Sequence, residues 1–212
     1  MIAGDIPQQI CEVGRRLYLQ GFVAANDGNI SVRCDDGAIL ITPTSVSKGF
    51  MTPEILCKLN ADGSWRSGGK PSSEAKMHVA IYHARPDVKA IVHAHPCMLT
   101  AYSIVETPFD TSILTETMLG LGEIALAPYG APGTPALAEH VASAARSSDA
   151  ILMERHGAVT LGKTLEEALF MMESFEHCAH TLFYARQLGT PRPLTQSQQE
   201  EIQRIRRDVW GK

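Results

Sequence analysis

Two histidines one residue apart, His93 and His95, close the apolar run Ala90-Ile91-Val92-His93-Ala94-His95-Pro96. On an extended strand alternate side chains share a face, so Ile91, His93 and His95 point one way and Val92 and Ala94 the other. The two histidine Cα atoms then stand about 6.5–7 Å apart. Imidazoles so placed can converge on a single ion with bonds of about 2.0–2.1 Å. Core packing gives no reason for paired histidines at a strand's end. The bland alternative is two solvated rings where a strand runs into a loop, and the rest of the chain has to decide between the two.

Several residues are candidates to join the pair. His156 follows the apolar run Ala150-Ile151-Leu152-Met153-Glu154 and precedes Gly157, where an abrupt turn would hold the ring. Glu74, in Pro71-Ser72-Ser73-Glu74, falls in the first turn of a helix, and His78 lies one turn further on. His177 and His180 share a face of a long helix. Zinc or a similar divalent ion accepts three imidazoles and a carboxylate. His93, His95 and His156 each end an apolar strand, a usual place for function on a sheet scaffold, which favours His156 as the third ligand. His177 and His180 sit among Met172, Phe175 and Phe183, which favours packing or an interface. His78 reads as a structural residue on its helix face.

A second cluster is polar and rich in small residues: Asp27-Gly28-Asn29-Ile30-Ser31, Thr42-Pro43-Thr44-Ser45 and Pro71-Ser72-Ser73. Taken singly, each segment reads as a turn or a helix cap. Together they offer N–H and hydroxyl donors around a helix start, a natural anion site, and suggest a phosphate cradle. Lys48 and Lys70 are the basic residues nearby.

The elements that must position these groups are legible in outline. A helical stripe of Ile10, Val13 and Leu17 predicts a helix over 7–20, ended by Gly21. Two strands over 29–34 and 38–42 flank Asp35-Asp36-Gly37, a hairpin signal. A polar loop follows to Gly49, with a short helix from Thr52. A turn at Ala61-Asp62-Gly63 and a loop over 67–71 come next. Ser73 is the expected N-cap of a helix over 74–84, stopped before Pro86. After the histidine strand, 112–119 is ambiguous between helix and irregular chain. A strand over 123–127, a helix over 135–146 and strands over 150–154 and 158–161 follow. Thr164 and Glu167 form a capping box for a long helix that Gly189 ends, and a helix over 195–208 finishes the chain. Without internal repeats or a linker, the 212 residues read as one domain, helices interleaved with short, often antiparallel strands.

Composition fits an ordinary soluble globular protein, with 44% hydrophobic and 20% charged residues. A formal net charge of −4 argues against a nucleic-acid partner. No apolar run approaches the roughly 18 residues of a membrane span. The start, Met1-Ile2-Ala3-Gly4-Asp5, lacks a secretory pattern. Five scattered cysteines (Cys11, Cys34, Cys57, Cys97, Cys178) without a C-x-x-C point to a reduced, cytoplasmic protein.

The chain resembles the class II aldolase/adducin family, which includes L-fuculose-1-phosphate aldolase. The matching pieces are Gly28-Asn29-Ile30-Ser31, Thr42-Pro43-Thr44, Pro71-Ser72-Ser73-Glu74, His93-Ala94-His95-Pro96, Ala127-Pro128-Tyr129 and His156-Gly157, in the family's order and over nearly the whole chain. The resemblance implies a three-layer α/β/α sandwich with a central mixed, largely antiparallel sheet. It implies a homotetramer with active sites at subunit interfaces, the pocket shaped partly by a neighbour's C-terminal segment including Trp210. It further implies one Zn²⁺ or Mn²⁺ per subunit, held by His93, His95 and His156, with Glu74 as the acid/base carboxylate that also ligates the metal. Phosphate is implied at Gly28, Asn29, Thr44, Ser45, Ser72 and Ser73.

The chemistry so implied is cleavage of a ketose 1-phosphate, such as fuculose 1-phosphate or a 5-deoxypentulose 1-phosphate, to dihydroxyacetone phosphate and an aldehyde. The same scaffold also carries sugar-phosphate 4-epimerases, methylthioribulose-phosphate dehydratases and 3-oxo-tetronate-phosphate decarboxylases, and a non-catalytic adducin-like interaction domain is a further alternative. Two departures bear on that choice. Ser45 stands where fuculose-phosphate aldolases carry glycine. Their catalytic tyrosine has no counterpart in Leu114-Thr115-Glu116, which leaves Glu116 as a second carboxylate, with Lys48 and Tyr129 as candidates for the pocket wall. Unrelated H-x-H folds fit less well: a metallo-β-lactamase-type site wants aspartate where Cys97 stands, and amidohydrolase barrels place the motif early in a longer chain.

Overall fold

The computed structural model of the protein describes residues 2–106 and 109–210, the Trp210 side chain lying outside the described part. Eight strands form one sheet: β1 (Asn29–Arg33), β2 (Ile39–Ile41), β3 (Cys57–Leu59), β4 (Trp65–Gly68), β5 (Ala90–Ala94), β6 (Ile124–Ala127), β7 (Ala150–Met153) and β8 (Gly157–Gly162). Their order is β4-β3-β2-β1-β5-β8-β7-β6, antiparallel throughout except for the parallel pair β6 and β7. The helices are α1 (Ile6–Leu19), α2 (Ala75–Ala84), α3 (Cys97–Ser103), α4 (Thr115–Gly120), α5 (Pro135–Ala144), α6 (Leu165–Leu188) and α7 (Gln196–Trp210).

Strand alternation divides the apolar residues between two cores. Ile30, Val32, Val92, Ala94 and Leu152 pack under α1, α3 and α6. Ile39, Ile41, Ile91, Ile151 and Val159 pack under α2 and α5 on the opposite face. Helices thus cover both faces of a mixed sheet, the three-layer arrangement expected from the resemblance. His93 shares its face with Ile91 and therefore points toward the α2 layer, where Glu74 sits. Among the described residues no helix is long and apolar enough to cross a membrane.

Local chemistry accounts for most boundaries. Asp5 and Gln8 form a reciprocal capping box on α1, whose Ile10, Val13 and Leu17 are fully buried. Thr164 caps α6 through the Glu167 N–H, but the Glu167 carboxylate accepts from Lys163 N rather than closing the expected box. Ser73 does not cap α2: the helix begins at Ala75, Glu74 holds the N-cap position, and Ser72 Oγ accepts the Glu74 N–H at 3.3 Å. The hairpin of β3 and β4 lies where only a turn and a loop were expected. Every β4 side chain is exposed, so no alternation of apolar and polar residues marks it. The unexpected α3 starts directly after Pro96, and its first free N–H groups, those of Met98 and Leu99, are accepted by the buried Glu176 carboxylate at 2.9 Å each.

Candidate active site

Register brings the histidines together. In the β5–β8 pairing His93 stands opposite Val159 and Ala94 opposite Ala158, which sets His156 beside His95 at the same end of the sheet. Arg155, just before His156, has φ 57°, a left-handed turn residue that swings the chain from β7 back into β8. Gly157 lets the two strands close up: a Cβ there would meet the Ala94 carbonyl oxygen at 2.6 Å and His95 Cδ2 at 2.7 Å. One potential ligand atom from each of His93, His95 and His156 lies within 4.8 Å of the others.

The ring orientations follow from their partners. His93 Nδ1 donates to the Ala158 carbonyl at 2.9 Å, so Nε2 carries the lone pair and faces His95 Nε2 at 3.0 Å. His95 Nδ1 is 3.5 Å from an Asp27 carboxylate oxygen. Glu74 completes the group, Oε2 standing 3.2 Å from His93 Nε2 and Oε1 3.4 Å from His156 Nε2. Burial, reinforced by the neighbouring rings, pushes His95 and His156 down to about 4, so both are neutral near pH 7. Burial works against ionising Glu74, yet His93, His156 and the Asn29 amide outweigh it and hold the carboxyl well below its usual range. Burial also opposes a charge on His93, but Glu74 and the Ala158 carbonyl raise it.

The set fits a divalent cation. Two buried polar atoms here, Glu74 Oε1 and His156 Nδ1, have no hydrogen-bond partner among the described residues. Leaving such atoms unmet costs roughly 1–3 kcal/mol apiece. Three imidazoles, those of His95 and His156 neutral near pH 7, with a carboxylate beside them are a donor set that suits zinc or a similar ion.

Around this group lies a cavity of about 220 Å³, lined by Gly28, Asn29, Thr44, Ser45, Ser72, Ser73, Glu74, His95 and His156 together with Asn26, Asp27, Pro43, Lys48 and Pro132. Every residue expected for the phosphate site is therefore on its wall. Backbone bonds fix two of the loops to each other, Thr44 N to Lys70 O at 3.0 Å and Ser72 N to Thr42 O at 3.2 Å. Ser45 has φ 59°, the conformation for which glycine is the easy residue, so its hydroxyl is gained at some backbone strain. Gly28 has φ 72°, and a Cβ on it would stand 2.8 Å from the His93 carbonyl oxygen.

Glu116 is not part of this group: it is exposed on α4 and lines no part of the cavity. Tyr129 is exposed and its N–H is bound by Glu154. His180 hydrogen-bonds Glu176 away from the cluster. Asp27, against His95, is the addition, while Lys48 lines the cavity as expected of a pocket-wall residue. Lys48 is buried, pushed down to about 8 by that burial, and its ammonium donates to the carbonyls of Asn26 and Val46 at 2.8 Å each. It thereby ties the loop bearing Asp27 and Gly28 to the loop bearing Thr44 and Ser45. The signal for Asp27 was in the sequence as an aspartate before Gly28, and the sequence marked Lys48 for the wall without marking the Asn26 and Val46 carbonyls it holds.

Comparison with known proteins agrees with this geometry. Residues 8–183 match the sequence model of the family described as Class II Aldolase and Adducin N-terminal domain. The 3-oxo-tetronate 4-phosphate decarboxylase of Cupriavidus necator is 39% identical over 176 residues, covering 81% of this chain and 81% of that protein. The L-fuculose phosphate aldolase of Escherichia coli O6:H1 is 34% identical over 202 residues, 95% of this chain and 93% of that one. The crystal structure of YgbL from Escherichia coli superposes with a TM-score of 0.86 at 32% identity, over 93% of this chain and 97% of the other. The chain belongs to the class II aldolase and adducin family.

Proposed function

We propose that the protein is a divalent-metal-dependent decarboxylase of a phosphorylated 3-oxo-tetronate, one domain acting as a cytoplasmic homotetramer. This differs in emphasis from the ketose-1-phosphate aldolase that the motifs first suggest. The observation that carries it is the wall of the cavity, where Glu74 stands beside His93 and His156, the other carboxylate, Asp27, lies against His95, and no tyrosine stands among the described lining residues. Retro-aldol cleavage needs a second group to take the proton of the departing hydroxyl. Loss of CO₂ from a carboxylate needs none, because the leaving fragment carries no proton. Proteins named as 3-oxo-tetronate 4-phosphate decarboxylases recur among the relatives, at 32–39% identity.

His93, His95 and His156 would hold the ion, with Glu74 as a further ligand. When bound, such an ion supplies Lewis acidity toward the ketone oxygen, worth several kcal/mol as charge develops there. Ser72, Ser73, Thr44, Ser45, Gly28 and the second N–H of Asn29 receive the phosphate, chiefly as neutral donors beside the start of α2. That anchor fixes the ketone next to the histidines. The bond from the carboxylate carbon to the hydroxyl-bearing carbon breaks, CO₂ leaves, and the bonding pair stays on the hydroxyl-bearing carbon. Glu74, ionised at rest, takes a proton from solvent and delivers it to that carbon, giving dihydroxyacetone phosphate.

The test is CO₂ and dihydroxyacetone phosphate release from 3-oxo-tetronate 4-phosphate by zinc- or manganese-loaded protein, run beside a panel of ketose 1-phosphates. Equal molar release of both products is expected. Dihydroxyacetone phosphate and an aldehyde from a ketose 1-phosphate, with no CO₂ from the oxo acid, would restore the aldolase reading, which the 34% identity to the fuculose-phosphate enzyme over 95% of the chain favours.

A further inference from the structure

The face of β1 that carries Asn29, Ser31 and Arg33 is polar, yet it is not turned to solvent. α2 lies over it and sets His78 and Tyr82 against it, and Asn29, Ser31, His78 and Tyr82 are all at most 3% exposed. A continuous hydrogen-bond chain results. Tyr82 Oη is 2.9 Å from Ser31 Oγ, and Ser31 Oγ is 2.6 Å from His78 Nδ1. His78 Nε2 contacts Asn29 Oδ1, and Asn29 Nδ2 donates to Glu74 Oε2 at 2.8 Å.

Such a chain has a direction, and counting donors fixes it. An ionised carboxylate only accepts, so Asn29 must present its NH₂ group to Glu74. The amide oxygen then faces His78 and needs a donor, so the ring proton sits on Nε2. Nδ1 is left as an acceptor and the Ser31 hydroxyl donates to it, so the Tyr82 hydroxyl donates to Ser31 Oγ at 2.9 Å in preference to the Lys89 carbonyl at 3.4 Å. In the opposite sense the Asn29 oxygen would lie against a Glu74 oxygen, two acceptors at hydrogen-bond distance. Burial first, and the nearby His93, push His78 down to about 3 against the pull of Glu74, so the ring stays neutral as the chain requires.

We propose that His78 is a positioning residue: as its Nε2–H tautomer it locks the Asn29 amide so that the amide grips Glu74 Oε2 and leaves Oε1 to carry the proton. Oε1 is the oxygen without a hydrogen-bond partner among the described residues, 3.4 Å from His156 Nε2. The inference rests on Glu74 being the proton carrier, and the experiment keeps the two apart.

Zinc-loaded protein labelled with ¹⁵N-histidine, studied by long-range ¹H–¹⁵N correlation at neutral pH, reports the tautomer directly. The His78 signals are assigned by their loss in His78→Gln. A protonated Nε2 and a bare Nδ1 are expected. An Nδ1–H or doubly protonated ring would overturn the proposal, whatever reaction the enzyme runs. The second arm is kinetic. A glutamine at 78 offers an N–H toward Asn29 and a carbonyl toward Ser31, the same polarity as the tautomer, whereas leucine offers neither. His78→Leu is expected to lower kcat by about 10–100-fold, the scale seen when a supporting hydrogen bond is lost, with a smaller rise in KM because the same Asn29 amide also faces the phosphate site. His78→Gln should recover most of that loss. A glutamine variant no better than the leucine one, or an effect confined to KM, would also overturn the proposal. Where leucine prevents folding, or the wild type turns over neither substrate class, the tautomer alone decides.

Discussion

The two ends of the sheet each hold a polar cavity, and they are built on opposite plans. At the far end, before β7 and after β8, lies a cavity of about 540 Å³ lined by residues that include Arg85, Asp87, Glu123, Arg146, Asp149, Lys163, Glu167 and Arg206. It is the larger of the two, and its acids Asp87 and Asp149 are both met by Arg85. Arg85 bridges Asp87 and Asp149 at 2.7 and 2.9 Å and also donates to the Ala145 carbonyl, while Arg206 donates to the Leu119 carbonyl. The histidine end encloses about 220 Å³, yet it draws three imidazoles and a carboxylate together and leaves Glu74 Oε1 and His156 Nδ1 unmet. Volume marks where something could fit. Asp149 Oδ1 in the larger cavity also lacks a hydrogen bond among the described residues, but the Arg85 guanidinium stands 2.9 Å from it, whereas the imidazole nearest Glu74 Oε1 is neutral near pH 7. A buried polar atom with neither hydrogen bond nor counter-charge marks where something is wanted.

That contrast can be broken most directly at the histidines. His95→Ala should reduce bound divalent metal to background in elemental analysis, with turnover falling by about a thousandfold or more, given several kcal/mol of Lewis-acid stabilisation. Full metal content in that variant would remove the ligand assignment. Glu74→Gln should retain the metal and lose about 10²–10⁴-fold in turnover, the usual worth of a positioned acid/base group. Near-wild-type turnover would take the proton-carrier role from Glu74.

Lys48→Met sharpens the comparison at the cradle. It strips the Asn26 and Val46 carbonyls of their donor, so the unfolding free energy in urea should fall by about 1–3 kcal/mol. KM for a phosphorylated substrate should rise as the two loops part; an unchanged denaturation midpoint and KM would show that the loops hold without it. Acid probes the packing beneath the site. Because His78 is neutral when folded down to about 3 and titrates near 6.5 when unfolded, the unfolded chain binds the extra proton between those values. Stability should therefore drop as pH falls through that window. Zinc-free His78→Gln should show a shallower loss of urea midpoint between pH 7 and 5 than zinc-free wild type, His95 and His156 contributing the same sign in both. Equal slopes would mean that His78 titrates near its ordinary value in the fold. At the far end, Arg146→Ser should change stability by less than about 0.5 kcal/mol, as exposed substitutions do, and leave turnover alone. A tenfold loss would show that the larger cavity takes part after all.

Much of this was legible before any coordinates. The alternation of Ile91, Val92, His93, Ala94 and His95 gave the shared face, and the strand ending at His156 gave the third ring, because period and position are local properties of the chain. The polar stripe was harder. Asn29, Ser31 and Arg33 alternate with Ile30 and Val32 just as a solvent-facing strand would, and only the packing of α2 shows that the polar side is the buried one. Likewise His78 reads as structural from its helix; that it reaches Asn29, 49 residues away, is a tertiary fact. β3 and β4 escaped because an all-exposed edge strand carries no pattern. α3 escaped because its N-terminal partner, Glu176, comes from 77 and 78 residues further along the chain.

Gly157 has a consequence for the spacing of the histidine pair His95 and His156. With only a hydrogen for a side chain it lets two backbones meet at van der Waals range, and the gap between His95 and His156 is therefore gauged by main-chain contact rather than by flexible side chains. A gauge of that kind yields little. An ion held there would meet two backbones already fixed in spacing, and a larger residue at 157 would force them apart.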